Sequence, residues 1–596
     1  MKSSGVSRLF FIGGLLSAAS LLIIVQMVRI QGSTKHQALS QWADEKYSYA
    51  IENYYPERGN IYDRWGRLLA GSEDVYEVGL LLQYVTNPQT IATTLNGVND
   101  LQYKDILAIA SKEYDPENSI YSILTDFLPS GVVDVLSEIK QHYEIENPYG
   151  RDGEKPSLRG MVWYPHLKRS YPENALASNI LGFYSFRDRQ KGVGYYGVEE
   201  YYNDLLAGSP METFMPRNPY MLEGLPEVPA GASLVLTIDR EIQAMVEKKL
   251  DDAVKEYEAA YGVVIILDPR NGEVLAMASQ PRINLNQYWE TEGQFKDITP
   301  FNRAISETYE PGSVFKVLTM SAAMDAGVVN DKTTFNDPGR YEYDPGKYIF
   351  NWDRKGHGEQ TMQGCMQKSL NVCFAWVAKE KLGQDKFYDY MRAFGVGQMT
   401  NVDLGGEKVW PFVMPDEFGY YPVQLITNSF GQGVALTPLQ MATSISAVAN
   451  DGKMMKPHVL KAIIQDGKQF NTSPQVLSVP LKPETAHDMT AMLVKSLVNE
   501  TSLALVPGYK IAGKTGTAEI PVDGVYGIDQ TNASFVGWGP ADNPQFLVYV
   551  WISRPEKSPW GSVIAAPLFA EITKDLVVYL DIPPVTPVEN AVAMEG

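Results

Sequence analysis

Hydrophobic positions along this chain fall into three kinds of run, and each predicts a different element. The first is continuous. From Leu9 to Val28, "LFFIGGLLSAASLLIIVQMV", 20 consecutive residues carry no charge, with Lys2 and Arg8 ahead of them. That is the length one helix needs to cross a bilayer. Ser17, Ala18 and Ala19 would suit a leader cleavage site, but the apolar run goes on through Leu21 to Val28, longer than a leader core requires. The reading is an uncleaved anchor, with residues 1–30 as a short tail and transmembrane helix. Arg29 and Lys35 offset Lys2 and Arg8, so flanking charge hardly sets the orientation. No second run of this length follows, which is expected to leave everything after residue 30 on one face of the membrane.

The second kind of run is short and bounded by turn residues. "YGVVIILDPRNGEVLAMAS" (261–279) reads as a hairpin turning at Asp268 to Gly272, and "NASFVGWGP" with "FLVYVWIS" as another around "ADNP". Ahead of them, "SLVLTIDREIQ" predicts a strand and then a helix capped near Asp239. Strands at both ends of a segment with a helical middle predict one domain whose sheet is completed by distant pieces of sequence. Residues 31 to about 208 mix short strands with amphipathic helices. Between the two regions, residues 209–231 hold five prolines and read as a boundary. The tail from Asp581, "DIPPVTPVENAVAMEG", has the composition of a disordered segment.

The third kind is "ETYEPGSVFKVLTMSAAMDAGVV" (307–329), apolar nearly all round, the signature of a buried central helix. Pro311 and Gly312 put its start at about Ser313, and Gly327 ends it. Between Pro311 and Met324, Lys316 is the only charged residue. An ammonium surrounded by hydrocarbon is costly unless it is paired or loses its proton.

Composition narrows the choices. With 44% apolar and 20% charged residues among 596, the chain has the balance of a multidomain globular protein, and a net charge of -20 argues against nucleic acid as a partner. Its six histidines are scattered without HxxxH or HExxH, and two cysteines make no metal cluster, so no metal or cofactor is expected. Cys365 and Cys373 are eight apart; along an unbroken helix they would stand about 12 Å from each other, too far for a disulfide.

Ser313 and Lys316 are three apart, so on a helix they share a face, with the hydroxyl at the positive end. A lysine in an apolar setting can take that hydroxyl's proton and make a nucleophile of it. SxxK alone proves little, since about two chance matches are expected in a chain of this size. Ser137 and Lys140 are one such match, in the charged, amphipathic "VVDVLSEIKQHYEIE". Two further pieces change the odds: Ser369 and Asn371 open another largely apolar helix, and Lys514, Thr515, Gly516 and Thr517 sit in a strand-like run. Each alone has a bland reading, a helix cap for the first and a strand end for the second. In the strand, Gly513 and Gly516 let another backbone approach, and an edge strand can pair with an extended peptide while Lys514 and the hydroxyls hold a carboxylate.

S-x-x-K, S-x-N and K-T-G in this order, with 56 residues between the first two serines and 145 from Ser369 to Lys514, resemble the signature of class B penicillin-binding proteins. "RGNIYDRWGRLLA" (58–70), "GVEEYYNDLLAG" (197–208), "LTIDREIQ", "DPRNGEVLAMAS", "NRA" (302–304) and "GQGVALTPLQMA" (431–442) are similar to further landmarks of that family. The resemblance implies an α+β multidomain protein: the transmembrane helix, an elongated mixed α/β pedestal over 31–230, and a transpeptidase domain over 231–580 whose antiparallel sheet is flanked by helices. It implies that Ser313 attacks a D-Ala-D-Ala stem peptide, Lys316 takes its proton, Ser369 and Asn371 relay protons and orient substrate, and Lys514, Thr515, Gly516 and Thr517 bind the carboxylate side and complete an oxyanion hole. β-Lactams would acylate the same serine. Lipid-linked peptidoglycan precursor and nascent glycan strands are the implied substrates, outside the cytoplasmic membrane. Residues 31–230 match the pedestal rather than a glycan polymerase, so a polytopic SEDS-type glycosyltransferase is the implied partner, contacting anchor and pedestal. The "RGNIYDRWGRLLA" segment could equally be a strand and turn that hold the pedestal together. A DD-carboxypeptidase or a silent penicillin-binding scaffold or sensor would carry the same motifs. Septal and elongation roles both stay open, with "TYEPGSVFK" closer to the division type.

Overall fold

The computed structural model describes residues 4–38, 49–99, 101–116, 118–153, 155–186, 192–216, 228–291, 300–500, 502–520 and 530–585. They divide into two units. The first comprises residues 1–57 and 207–231. Its N-terminal helix runs Ser4–Gln31, and Phe10–Gln31 is long and apolar enough to cross a membrane, with none of that span buried. The same unit pairs Tyr49–Tyr54 antiparallel with Met211–Pro216. The proline-rich stretch is therefore partly a strand, and its prolines Pro210 and Pro216 stand where a strand begins and ends, positions that need no ladder donor.

Among the described residues the second unit holds two large sheets and four two-stranded ones. One is seven-stranded and mixed; it runs from Lys468–Asn471 through Leu460–Gln465, Ser233–Leu236 and Ile61–Tyr62 to the long strand Leu68–Leu81, which pairs with both Tyr121–Pro129 and Met161–Ser170. Ile61 and Leu234 pair in parallel, so the "RGNIYDRWGRLLA" box and the strand ahead of Asp239 share one ladder. Within the box, Asp63 Oδ1 accepts the N–H groups of Trp65 and Arg67, each at 2.8 Å, closing the turn at Gly66 (φ +84°). Trp65 Nε1 then donates to Asp239, the helix cap, at 2.7 Å. Helices Pro88–Asn99, Tyr103–Ala110 and Ser130–Glu146 pack on the strands around Val78, Leu80, Ile91, Leu95, Leu136 and Met161.

Arg58 of that box and Glu199 of the "GVEEYYNDLLAG" landmark are partners across 141 residues. The buried Glu199 carboxylate receives Arg58 Nη2 at 2.5 Å and Nε at 2.8 Å, Arg169 Nε at 2.8 Å and the Tyr171 hydroxyl at 3.2 Å. Two cations around one anion, all desolvated, make this the main charged lock of the region.

The other large sheet is five-stranded and antiparallel, in the order Val274–Ser279, Tyr261–Leu267, Phe546–Ser553, Thr531–Gly539, Ala512–Glu519. Both predicted hairpins are in it. Its strands are hydrophobic without alternation because both faces are covered. Val263, Ile265, Tyr549 and Trp551 enter the large core around the central helix; Val264, Ile266, Val548 and Val550 enter a second core with helices Arg240–Glu256 and Ala565–Tyr579. Asp239 caps the first of those helices, accepting from the Glu241 and Ile242 N–H groups.

One open question is resolved and one expectation is corrected. Cys365 and Cys373 are joined in a disulfide with their Cα atoms 6.2 Å apart. The segment is not one helix: Met362–Gln367 stops, Ser369 turns left-handed (φ +55°), and a new helix begins at Asn371, folding the two cysteines toward each other. The tail is also ordered further than its composition suggests. Ile582 is buried, its carbonyl accepts the Tyr509 hydroxyl at 3.0 Å, and Val585 N donates to Gly508 O at 2.9 Å. One apolar anchor and two hydrogen bonds suffice to fix that extended stretch; residues 586–596 lie outside the described residues.

Candidate active site

The Ser313–Lys316 spacing is realised on a single tight turn. Gly312–Phe315 is 3₁₀ helix, and the α-helix proper begins at Lys316 and runs to Asp325. With three residues per turn, side chains at i and i+3 eclipse, so serine and lysine project from the same side. From Pro311 to Ala323 every residue is buried except Ser313, which is partly exposed. The hydroxyl is thus the one point on this helix start that solvent or a ligand can reach.

Lys316 is fully buried. Its stem lies among hydrocarbon, as the sequence predicts, but its amine does not: Nζ donates to Ser369 O at 2.7 Å and Asn371 Oδ1 at 2.7 Å and lies 3.1 Å from Ser369 Oγ, with the Phe374 ring centroid 5.4 Å away. The burial cost is met by hydrogen bonds rather than by isolation, which corrects the picture of an amine walled in by apolar groups. The two carbonyl-type oxygens can only accept, whereas the Ser369 hydroxyl can give or take a proton. Of these three contacts, the hydroxyl is the one through which a proton can move.

Ser369 and Asn371 are not helix caps. The N-cap of Asn371–Trp376 is Leu370, without a side-chain cap bond, and both polar side chains face Lys316 instead. Asn371 is oriented from its other end, its Nδ2 donating to Phe350 O at 3.3 Å. Asn351 supports the helix start by accepting Val372 N at 3.1 Å.

Lys514, Thr515, Gly516 and Thr517 lie in the strand at the edge of the five-stranded sheet, as an edge-strand reading requires. Gly516 is where the strand meets the central helix. A Cβ there would come within 3.0 Å of Val314 Cγ1 and 3.1 Å of Pro311 O, and would collide with Ser534 Oγ. Gly312, itself at φ +58°, closes from the other side, where a Cβ would stand 2.9 Å from Thr517 O. The glycines thus bring the strand and the serine turn into backbone contact. Gly513 instead faces Phe535 and Val536 of the neighbouring strand. Lys514 is buried and reaches the Thr515 hydroxyl at 3.2 Å, while the Thr517 hydroxyl accepts Gly561 N at 3.0 Å. The other SxxK match forms no pair: Ser137 Oγ bonds back to Val133 O, and Lys140 Nζ donates to Met161 O at 2.9 Å.

Two residues that sequence reasoning missed flank this constellation. Trp352 donates from Nε1 to Lys368 O at 3.1 Å, next to Ser369; Trp560 precedes Gly561, which is bonded to Thr517. Their rings meet edge to face with centroids 5.7 Å apart. Both are largely exposed, and a lone tryptophan in a polar loop was the only sequence signal for either.

A seryl hydroxyl on a tight turn, a buried lysine held to a second serine and an asparagine, and a glycine-bearing edge strand against the serine turn form one constellation. Residues 262–574 match the penicillin-binding protein transpeptidase domain, and residues 53–220 the penicillin-binding protein dimerisation domain. The chain is 31% identical over 566 residues to stage V sporulation protein D of Bacillus subtilis, covering 92% of this chain and 82% of that one. It is 26% identical to the peptidoglycan D,D-transpeptidase MrdA of Acinetobacter baumannii, covering 94% and 87% respectively. Among solved structures, penicillin-binding protein 2X of Streptococcus thermophilus superposes with TM-score 0.74 at 21% identity over 90% of this chain and 81% of that one. Penicillin-binding protein 3 of Mycobacterium tuberculosis in complex with aztreonam gives 0.66 at 24%, over 90% and 99%. The chain belongs to the penicillin-binding protein family, as a class B peptidoglycan D,D-transpeptidase with a dimerisation-type domain ahead of the catalytic one.

Proposed function

We propose that this enzyme crosslinks peptidoglycan through an acyl-enzyme on Ser313. The observation that carries the reading is the buried Lys316 amine held against Ser369 and Asn371, one turn from the partly exposed hydroxyl and beside the Gly516 strand. In this reading Lys316 takes the Ser313 proton as Oγ attacks the penultimate D-alanine carbonyl. The proton returns through Ser369 to the leaving D-alanine nitrogen, and Asn371 orients the peptide. Lys514, Thr515, Gly516 and Thr517 hold the carboxylate side as the stem adds to the edge strand. The backbone N–H groups of Ser313 and Thr517 stabilise the tetrahedral oxyanion, a device often worth about 3 to 4 kcal/mol of barrier. An amine from a neighbouring stem then takes the acyl group and frees the serine. β-Lactams arrest the same serine.

The N-terminal helix serves as a single-pass anchor in the cytoplasmic membrane, with the catalytic domain, residues 231–580, on the external face. Anchor and pedestal, residues 31–230, give a polytopic SEDS-type glycosyltransferase its contact surface, and the work done is septal or elongation wall synthesis on lipid-linked precursor and nascent glycan strands. The test is to incubate the full-length protein in detergent with polymerised substrate bearing D-Ala-D-Ala stems. D-Alanine release accompanied by dimeric muropeptides is the expected outcome. D-Alanine release with hydrolysed monomers alone, even with excess acceptor amine, would make the enzyme a carboxypeptidase.

A further inference from the structure

The residues that hold the Lys316 amine lie inside a covalent ring. Cys365 and Cys373 close a nine-residue loop that contains Ser369 and Asn371, which place three oxygens against Nζ, and Phe374, whose ring faces the amine, follows the second cysteine directly. Hydrogen bonds with Asn351, Trp352 and Phe350 O hold the loop from outside, and the disulfide is its one covalent tie. The loop joins two helical segments, Met362–Gln367 and Asn371–Trp376, each of only six residues, too short to persist by helix propensity. Between them Ser369 holds φ +55°, a conformation that non-glycine residues keep only where their surroundings enforce it. Within the break, Leu370 N donates to Cys365 O at 3.1 Å, so the first cysteine grips the turn by its backbone as well as its sulfur. Both cysteines are fully buried.

Resting on the acyl-transfer reading above, we infer that the Cys365–Cys373 cross-link is a positioning device for catalysis: it holds Ser369 and Asn371 against Lys316 so that the proton path is aligned before substrate arrives. An acyl transfer routed through hydrogen bonds of 2.7–3.1 Å loses rate steeply when a member drifts by an ångström. The cross-link acts on the chemical step and leaves recognition at the Gly516 strand alone.

The test compares acylation by fluorescent penicillin in the full-length protein and its Cys365→Ala/Cys373→Ala variant, separating initial binding from the acylation rate constant and recording the pH profile of the latter. The expected result is an acylation rate constant about 10- to 100-fold lower, an altered pH profile and an unchanged initial binding constant. Should the double variant fail to fold, the native protein is reduced with dithiothreitol, desalted under nitrogen and assayed, with alkylation and mass measurement reporting the thiols; the same loss of rate is expected. A reduced or doubly substituted enzyme that acylates at the native rate and pH profile overturns the inference, as would a uniform loss of binding and rate together. Failure of the native protein to acylate at all would instead overturn the acyl-transfer reading.

Discussion

Replacing Lys316 by methionine should lower the rate of penicillin acylation about a thousandfold or more while leaving the protein folded. General acid–base catalysis by a positioned side chain contributes on the order of 10²–10⁴ in rate, and the Ser313 hydroxyl has no other base on its own turn. Methionine keeps an unbranched stem of similar length in this fully buried position beside Phe374, so packing changes little. What is lost is the donor shared by Ser369 O and Asn371 Oδ1. Those oxygens, left without it, cost roughly 1–3 kcal/mol each if no water replaces the amine. Stopped-flow acylation together with denaturant unfolding separates the two effects: the rate should collapse, while the unfolding midpoint falls by no more than the unpaired oxygens cost. A variant acylating within tenfold of the native rate would remove Lys316 from the chemistry.

The largest effect on stability is expected at Glu199, which has no part in the acyl transfer. Burial alone would raise its carboxyl's pKa, but Arg169 and Arg58 together more than offset this, and the net shift is downward. A carboxylate whose pKa lies below its unfolded value, about 4.3, binds fewer protons in the native state. Its contribution is therefore complete above that value and is lost as pH falls through the lower, folded one. Glu199→Gln leaves two buried guanidiniums without their anion and should cost about 3–5 kcal/mol near neutral pH. In acid, below the folded pKa, the native and variant unfolding curves should converge. Denaturant titrations of both proteins from pH 7 down to pH 3 check the size at neutral pH and the narrowing of the gap once pH falls below about 4.3. A Glu199→Gln protein as stable as the native one at pH 7 would mean that the lock contributes nothing net.

Much of the candidate site was legible because its signals are local. SxxK needs only a helical turn to bring Ser313 and Lys316 to one side, and the glycines of the Lys514 strand announce close approach on their own. Both hairpins and the Asp239 cap were readable for the same reason. What stayed hidden depended on chain reversal or long-range pairing. The disulfide stayed open because its feasibility depends on whether residues 365–373 run as one helix; nothing local reveals that Ser369 turns left-handed and breaks it. That same break turns Ser369 and Asn371 from would-be caps into partners of the amine. The ladder of Ile61 with Leu234 and the bond of Arg58 to Glu199 join segments visible singly as landmarks, but pairings 141 or more residues apart leave no trace in local pattern. Trp352 and Trp560 come from loops about 200 residues apart and meet only in the folded molecule.

The central claim is that Ser313, and no other hydroxyl, takes the acyl group because Lys316 lies one turn beyond it. Its most direct measurement is intact-protein mass spectrometry after exposure to penicillin, followed by peptide mapping of the native chain and of Ser313→Ala. The account predicts a single penicilloyl adduct on the peptide carrying Ser313 and none in the alanine variant. An adduct on Ser369 or on a threonine of the 514–517 strand, or undiminished labelling of Ser313→Ala, would contradict it.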